Sequence, residues 1–176
     1  MAEEVEGRTL AVSWSAAPDL WLLRLRRDRP AARLRAAAVL DLDLPEEIGA
    51  TRGGSLCVAP GEWLVERDCD GLEPMLLAAM TDEPAALVSL GPGAERLEIV
   101  GEQAADLLNK GCSLDLHCSM FPAGRCTRTL LAGVGVTLVR LGDEAFRLYV
   151  ERSVSEWARD WLDEAAREFR NEGISA

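Results

Sequence analysis

Two segments of the chain, residues 56–67 (LCVAPGEWLVER) and residues 138–152 (LVRLGDEAFRLYVER), share one pattern of apolar runs separated by a glycine-containing turn. This pattern predicts a β-hairpin in each segment. The hairpins end in the dipeptides Glu66-Arg67 and Glu151-Arg152, which lie 85 positions apart, and an apolar helix is predicted after each of them. The order of elements indicates an internal repeat of low identity.

A strand and a helix are predicted ahead of each hairpin. They are residues 20–26 and 30–40 in the first half, and residues 95–101 and 102–110 in the second. Leu23 and Leu25 alternate with arginines, as in a strand with one buried face, and Pro30 suits the first turn of a helix. Gly111 stands where a left-handed helix cap is expected.

These elements predict an α+β fold of two βαββα-like halves packed as one body. We assign residues 1–18 to an N-terminal segment and residues 19–176 to a single domain. Its halves cover about residues 19–92 and 93–171.

The last predicted helix covers residues 155–170. Ser153 and Glu156 have the spacing of a capping box. A second feature is an apolar stripe with a period of four residues, formed by Trp157, Trp161, Ala165 and Phe169.

Composition limits the classes of partner. The 176 residues carry a formal charge of −11, which argues against nucleic acid and against an anionic membrane surface. Charges interrupt every apolar run well before the ~20 residues needed to cross a bilayer. Five cysteines, an odd number, and no visible export signal lead us to expect a cytoplasmic protein with reduced thiols.

Residues 107–126 (LLNKGCSLDLHCSMFPAGRC) contain three cysteines and the single histidine, His117. The spacings C-x5-C and C-x7-C differ from the paired ligands of structural zinc sites, and His117 and Cys118 are adjacent and would point apart. A Cys–His nucleophile would need a nearby oxyanion loop, and none follows. We expect a loop histidine bonded to the backbone, and we assign no catalytic or metal-binding residue.

The sequence gives little support for a nucleotide-binding site or for a functional basic surface. Neither a dinucleotide fingerprint nor a P-loop occurs, so we assign no cofactor-binding residue to this chain. A run of arginines between residues 24 and 35 indicates either a solvated face or a surface complementary to an acidic partner.

Three motifs resemble the gamma subunit of heterotetrameric sarcosine oxidase: KGC-x-LDLH, F-P-x-G-x-C-x-R-T, and F-x-LYV-x-RS ahead of a helix with tryptophans. The segment APGEWLV in the first half is similar to a strand of the same family. The likeness covers roughly residues 20–170 and is strongest after residue 95. More distantly, the order of elements resembles the aminomethyltransferase (T-protein) folate-binding fold.

The resemblance implies a complex that oxidatively demethylates sarcosine to glycine, with hydrogen peroxide and either formaldehyde or methylenetetrahydrofolate as further products. It implies that FAD, FMN, NAD, tetrahydrofolate and zinc belong to the partner subunits. The gamma chain would then be a non-catalytic subunit that assembles with alpha, beta and delta, docking chiefly on alpha.

Such a role predicts apolar surface that is exposed in the isolated chain. Our candidates for partner contacts are Phe121, Pro122 and Arg125 in the loop and Trp157 in the last helix. The alternative function is a stand-alone, folate-binding, aminomethyltransferase-like protein, which needs a carboxylate in a central cavity; Asp115 is its candidate.

Overall fold

The computed structural model describes residues 10–26, 29–80 and 83–171, with side chains up to Phe169. Within these residues the strands are β1 Ala11–Ala16, β2 Leu20–Leu25, β3 Thr51–Arg52, β4 Ser55–Ala59, β5 Glu62–Glu66, β6 Ala85–Ser89, β7 Ala94–Val100, β8 Cys126–Leu131, β9 Val134–Gly142 and β10 Ala145–Glu151. The helices are α1 Pro30–Leu40, α2 Leu72–Ala79, α3 Ala104–Asn109, α4 Arg152–Ala165 and α5 Arg167–Asn171, and a 3-10 turn covers Gly91–Gly93.

The strands form two antiparallel five-stranded sheets. The first sheet has the order β3-β4-β5-β2-β6, and the second has the order β8-β9-β10-β7-β1. Each sheet contains one of the predicted hairpins, flanked by the strand that precedes it in its own half. The internal repeat in the sequence is therefore also a repeat of sheet topology.

The two sheets pack face to face between two layers of helices. Successive side chains of β2 point to opposite faces of its sheet. Leu23 and Leu25 pack against α1 and α2, whereas Leu20 and Leu22 face the second sheet. The core of the second half lies between its sheet and the helices α3 and α4, and Phe146 is fully buried within it. The predicted α+β body of two related halves is confirmed.

Strand β1 lies in the segment for which no strand was predicted. It pairs antiparallel with β7, from Ala11 opposite Val100 to Ala16 opposite Glu95. In the second sheet it takes the position that β6 takes in the first. The N-terminal end of the chain thus supplies the edge strand that the second half lacks.

Two local predictions are wrong. The N-cap of α4 is Glu151, and no side chain caps this helix, so Ser153 and Glu156 do not form a capping box. Gly111 has no positive φ; a Cβ there would lie 2.7 Å from the ring of Trp161 and 2.9 Å from the amide nitrogen of Ala132. Close packing, rather than a left-handed turn, therefore requires glycine at this position.

The apolar stripe of α4 is also only partly as predicted. Trp161 is half-buried against the core, but Trp157 is 48% exposed. The residues that α4 buries fully are the smaller Ser155 and Ala158 together with Leu162. No helix among the described residues combines the length and the apolar character that a bilayer span requires.

Candidate functional site

The loop between α3 and β8 contains the residues that the sequence singled out, and it is anchored in the core. Leu116 is 1% exposed and Phe121 is 6% exposed, and both belong to the core of the second half. The expectation that Phe121 presents an exposed ring is wrong. The adjacent Met120 is the exposed side chain instead, at 67%.

Arg140 on β9 holds this loop in place. Its guanidinium donates from Nη1 to the carbonyl of Leu116 (2.7 Å) and to that of Phe121 (3.2 Å). It also donates from Nε to the carbonyl of Gly142 (3.0 Å) and from Nη2 to that of Asp143 (2.6 Å). Arg140 is only 4% exposed, so a buried cation ties the loop to the end of β9.

Sequence reasoning did not identify Arg140. A signal for it existed, because the run VGVTLVR ends in a charged residue within a strand that is otherwise suited to burial. A buried arginine requires hydrogen-bond acceptors for its donors. Here those acceptors are backbone carbonyls of residues up to 24 positions away.

The second part of the loop is tied to the first half of the chain. Arg125 forms an ion pair with Glu47 and donates from Nη2 to the carbonyl of Ile48 (3.2 Å). The amide of Cys126 donates to the carbonyl of Gly49 (2.7 Å). Pro122 is exposed in the same turn, where its carbonyl accepts a hydrogen bond from the amide of Arg125 (3.2 Å), and Arg125 in turn lies against the half-exposed Ile48.

The histidine and the thiols of the loop have separate partners. Nδ1 of His117 lies 2.8 Å from the hydroxyl of Ser119. The thiol of Cys112 lies 3.7 Å from the hydroxyl of Thr129. Burial raises the pKa of Cys126 to about 11, so this thiol stays protonated at neutral pH and is a poor nucleophile. Within the described residues, no hydrogen bond joins His117 to a cysteine.

Asp115 lies in an exposed local turn. Its carboxylate accepts a hydrogen bond from the amide of His117 at 2.9 Å, as in an Asx turn. A cavity of about 510 Å³ does open between the sheets, bounded by Leu20 and Tyr149, but Asp115 is not among the residues that line it. The role of Asp115 in the folate-binding alternative therefore has no geometric support.

Metal ligands are not grouped in the part of the chain that the structure describes. No cluster of three or more histidine, cysteine or acidic side chains there has the arrangement that could hold an ion.

Most of the described arginines in the basic run pair within the chain. Arg24 pairs with Glu62 (3.1 Å), Arg29 with Glu83 (3.5 Å), and Arg33 with Glu46. Arg27 lies outside the described residues. These ion pairs make the run mainly an internal feature of the first half, and they weaken its interpretation as a surface for an acidic partner.

A charged cluster joins the two sheets at one end of their interface. Glu66 of β5, with a side chain 12% exposed, pairs with Arg96 of β7 (3.1 Å) and Arg147 of β10 (2.7 Å). Arg147 also pairs with Glu98 (2.6 Å). Burial, and then the nearby Glu66 carboxylate, raise the pKa of the Tyr149 hydroxyl beside this cluster.

Trp157, the remaining predicted contact residue, lies on the outward side of α4. This helix packs on β10 and β7. The structure therefore places Trp157 on a different element from Pro122 and Arg125, which belong to the loop before β8.

Comparison with protein families gives a match over most of the chain. Residues 24–168 match the sarcosine oxidase, gamma subunit family. Among curated proteins, the sarcosine oxidase subunit gamma of Arthrobacter sp is 30% identical over 145 residues, which are 79% of this chain and 71% of that protein. The protein of the same name from Corynebacterium sp. (strain U-96) is 31% identical over 139 residues, or 76% and 68% of the two chains.

Solved structures agree with this match. A chain of the heterotetrameric sarcosine oxidase from Corynebacterium sp. U-96, solved in complex with pyrrole 2-carboxylate, superposes with a TM-score of 0.78 and 28% identity. The superposition covers 90% of this chain and 85% of that one. The aminomethyltransferase T of the glycine cleavage system from Bartonella henselae shares the fold alone, with a TM-score of 0.55, 15% identity, and coverage of 88% of this chain and 46% of that one.

Proposed function

The chain belongs to the sarcosine oxidase gamma subunit family, and from that premise we propose that it is the gamma subunit of a heterotetrameric sarcosine oxidase. The complex would oxidise sarcosine to glycine and form hydrogen peroxide together with formaldehyde or methylenetetrahydrofolate. The observation that carries the proposal is the superposition on a chain of such a heterotetramer over 90% of this chain.

We further propose that this chain supplies no catalytic residue. FAD, FMN, NAD, tetrahydrofolate and zinc would be held by the alpha, beta and delta subunits. The environments of His117 and Cys126 support this division of roles. His117 contacts a serine hydroxyl, and the pKa of Cys126 is raised by burial rather than lowered toward a reactive thiolate.

The role of the chain would be to dock on the alpha subunit. For this contact we propose the surface of Met120, Pro122 and Arg125, together with Trp157 on α4. Phe121 is the internal support of that loop instead of a contact residue. Because Arg140 and Arg125 anchor the loop from two sides, its exposed part is held in one shape, and little conformational entropy would be lost on binding.

Location in the cytoplasm belongs to the same proposal. The exposed thiol of Cys118 and the four buried free thiols suit a reducing compartment. An absorbance spectrum tests the division of roles: we expect the purified chain alone to lack flavin absorbance and oxidase activity.

Co-expression of the four subunits, with an affinity tag on this chain, tests the assembly. A yellow complex that produces peroxide from sarcosine would support the proposal. If tetrahydrofolate binds to the isolated chain with micromolar affinity, the alternative of a stand-alone folate-binding protein gains the support that it now lacks.

A further inference from the structure

The outward side of α4 combines an exposed tryptophan with two carboxylates. Trp157 is 48% exposed, and Glu156 and Asp160 are exposed beside it. The opposite side of the helix buries Ala158 and Leu162 in the core. Trp157 is therefore not needed to fill the core of this chain.

The charges of this group are unfavourable in the isolated chain. Glu156 and Asp160 are four residues apart, so they are neighbours on the helix surface, where like charges repel each other and destabilise the helix. Neither carboxylate has an ion-pair partner among the described residues, whereas Glu164, one turn further on, pairs with Arg167 (2.7 Å). The pair of carboxylates beside Trp157 thus lacks the cation that the next turn of the helix has.

The same helix contains an example of a tryptophan and a carboxylate that together bind an arginine. On another side of α4, the guanidinium of Arg159 lies 4.2 Å from the centre of the Trp14 ring and pairs with the carboxylate of Glu95. A tryptophan face and a carboxylate together bind an arginine through cation–π attraction and a charged hydrogen bond. Trp157 with Glu156 and Asp160 offers the same chemical groups, and no described arginine stacks on Trp157 or pairs with either carboxylate.

We infer that Trp157, Glu156 and Asp160 receive an arginine from a basic surface of the subunit on which this chain docks. The inference rests on the proposed function and specifies the chemistry of the partner. Complementary charge supports this occupant, since a chain of formal charge −11 is steered toward a basic surface. The exposed apolar side chains of Leu34 on α1 and Met75 on α2 lie in the helix layer of the first half, and this surface serves as the control.

The test measures binding of this chain to the complex of the other three subunits, purified without it. We expect Trp157→Ala to weaken binding by roughly 10- to 100-fold, as for an aromatic residue at the centre of an interface. Trp157→Leu keeps an apolar side chain without a π face, and we expect it to bind nearly as weakly. Met75→Ala, a truncation on the control surface, should change affinity by less than about twofold.

Charge is tested by the double variant Glu156→Gln/Asp160→Asn. We expect weaker binding at low salt and a smaller loss of affinity on adding salt than in the wild-type chain, because two of the interacting charges are gone. All the substituted side chains are exposed, so the urea midpoint of unfolding, measured in parallel, should match that of the wild-type chain.

The outcomes are distinguishable. If the wild-type chain does not bind the three-subunit complex at all, the proposed function and this inference are both overturned. If the wild-type chain binds, but Trp157→Ala and the double variant bind within twofold of it, the proposed function stands and the inference is refuted. If Trp157→Leu binds like the wild type, the contact is merely apolar and the arginine is refuted.

Discussion

Arg140→Met should destabilise the chain strongly, because it removes the cation that anchors the α3–β8 loop. The wild-type side chain makes four hydrogen bonds to carbonyl groups and lies 5.0 Å from the centre of the Phe146 ring. A hydrogen bond to a charged donor contributes about 1.5–3 kcal/mol, and each buried carbonyl left without a donor costs about 1–3 kcal/mol.

Four such bonds set an upper range of about 6–12 kcal/mol. Against this, methionine keeps the apolar stem and removes the cost of burying a cation, which is several kcal/mol. We therefore expect a net loss of about 3–5 kcal/mol in the free energy of unfolding, a large part of the ~5–15 kcal/mol that holds a domain folded. Lysine presents one compact ammonium group instead of the five donors of the guanidinium, so Arg140→Lys should recover only part of the loss.

Urea unfolding followed by tryptophan fluorescence measures this effect. The matched control is Arg128→Met, which removes an exposed arginine whose only described ion pair is with Glu62 (3.2 Å). A pair of this kind contributes about 0–1 kcal/mol. If Arg140→Met costs less than about 1 kcal/mol, and so cannot be told from the control, the anchoring role of Arg140 is refuted.

Three further predictions concern stability. Gly111→Ala should lower the free energy of unfolding by about 1–3 kcal/mol, because the added methyl group would lie closer than 3 Å to a tryptophan ring and to a backbone amide. The control is Gly135→Ala, where the added methyl group has no neighbour within 4 Å, and it should change the unfolding midpoint by little. Glu66→Gln should cost about 3–5 kcal/mol, because it leaves Arg96 without its ion-pair partner and Arg147 with Glu98 alone. Glu47→Gln, at a side chain 72% exposed, should cost at most about 1 kcal/mol. Equal losses would refute the importance of the inter-sheet cluster. Because burial raises the pKa of Cys126 from 9.0 to about 11, the unfolded thiol loses its proton first as pH rises, and stability should fall between pH 9 and 11. Cys126→Ala should show a shallower fall over the same range in urea titrations, and identical curves would contradict that cause.

Much of the fold was predictable from local pattern. Alternating apolar residues and glycine-containing turns identify both hairpins, and Pro30 marks the observed first residue of α1. Strand β1 also alternates, with Val12 and Trp14 half-buried between exposed serines. It was missed because its partner strand β7 begins almost 80 positions later, and a single edge strand of this kind carries a weak local signal.

The candidate site was predictable only in part. Phe121 and Pro122 are adjacent in a loop rich in turn signals, yet one is buried and the other exposed. What separates them is Arg140, whose bonds to the carbonyls of Leu116 and Phe121 turn the loop inward. Such a contact between distant segments leaves no periodic pattern in the sequence.

We propose that this chain is the gamma subunit of a sarcosine oxidase. The most direct test is purification of the co-expressed complex through a tag on this chain, followed by measurement of peroxide production from sarcosine. We predict one assembly of four different subunits in equal amounts, with flavin absorbance and oxidase activity. If the tagged chain purifies alone while the other three subunits form an active oxidase without it, the claim is contradicted.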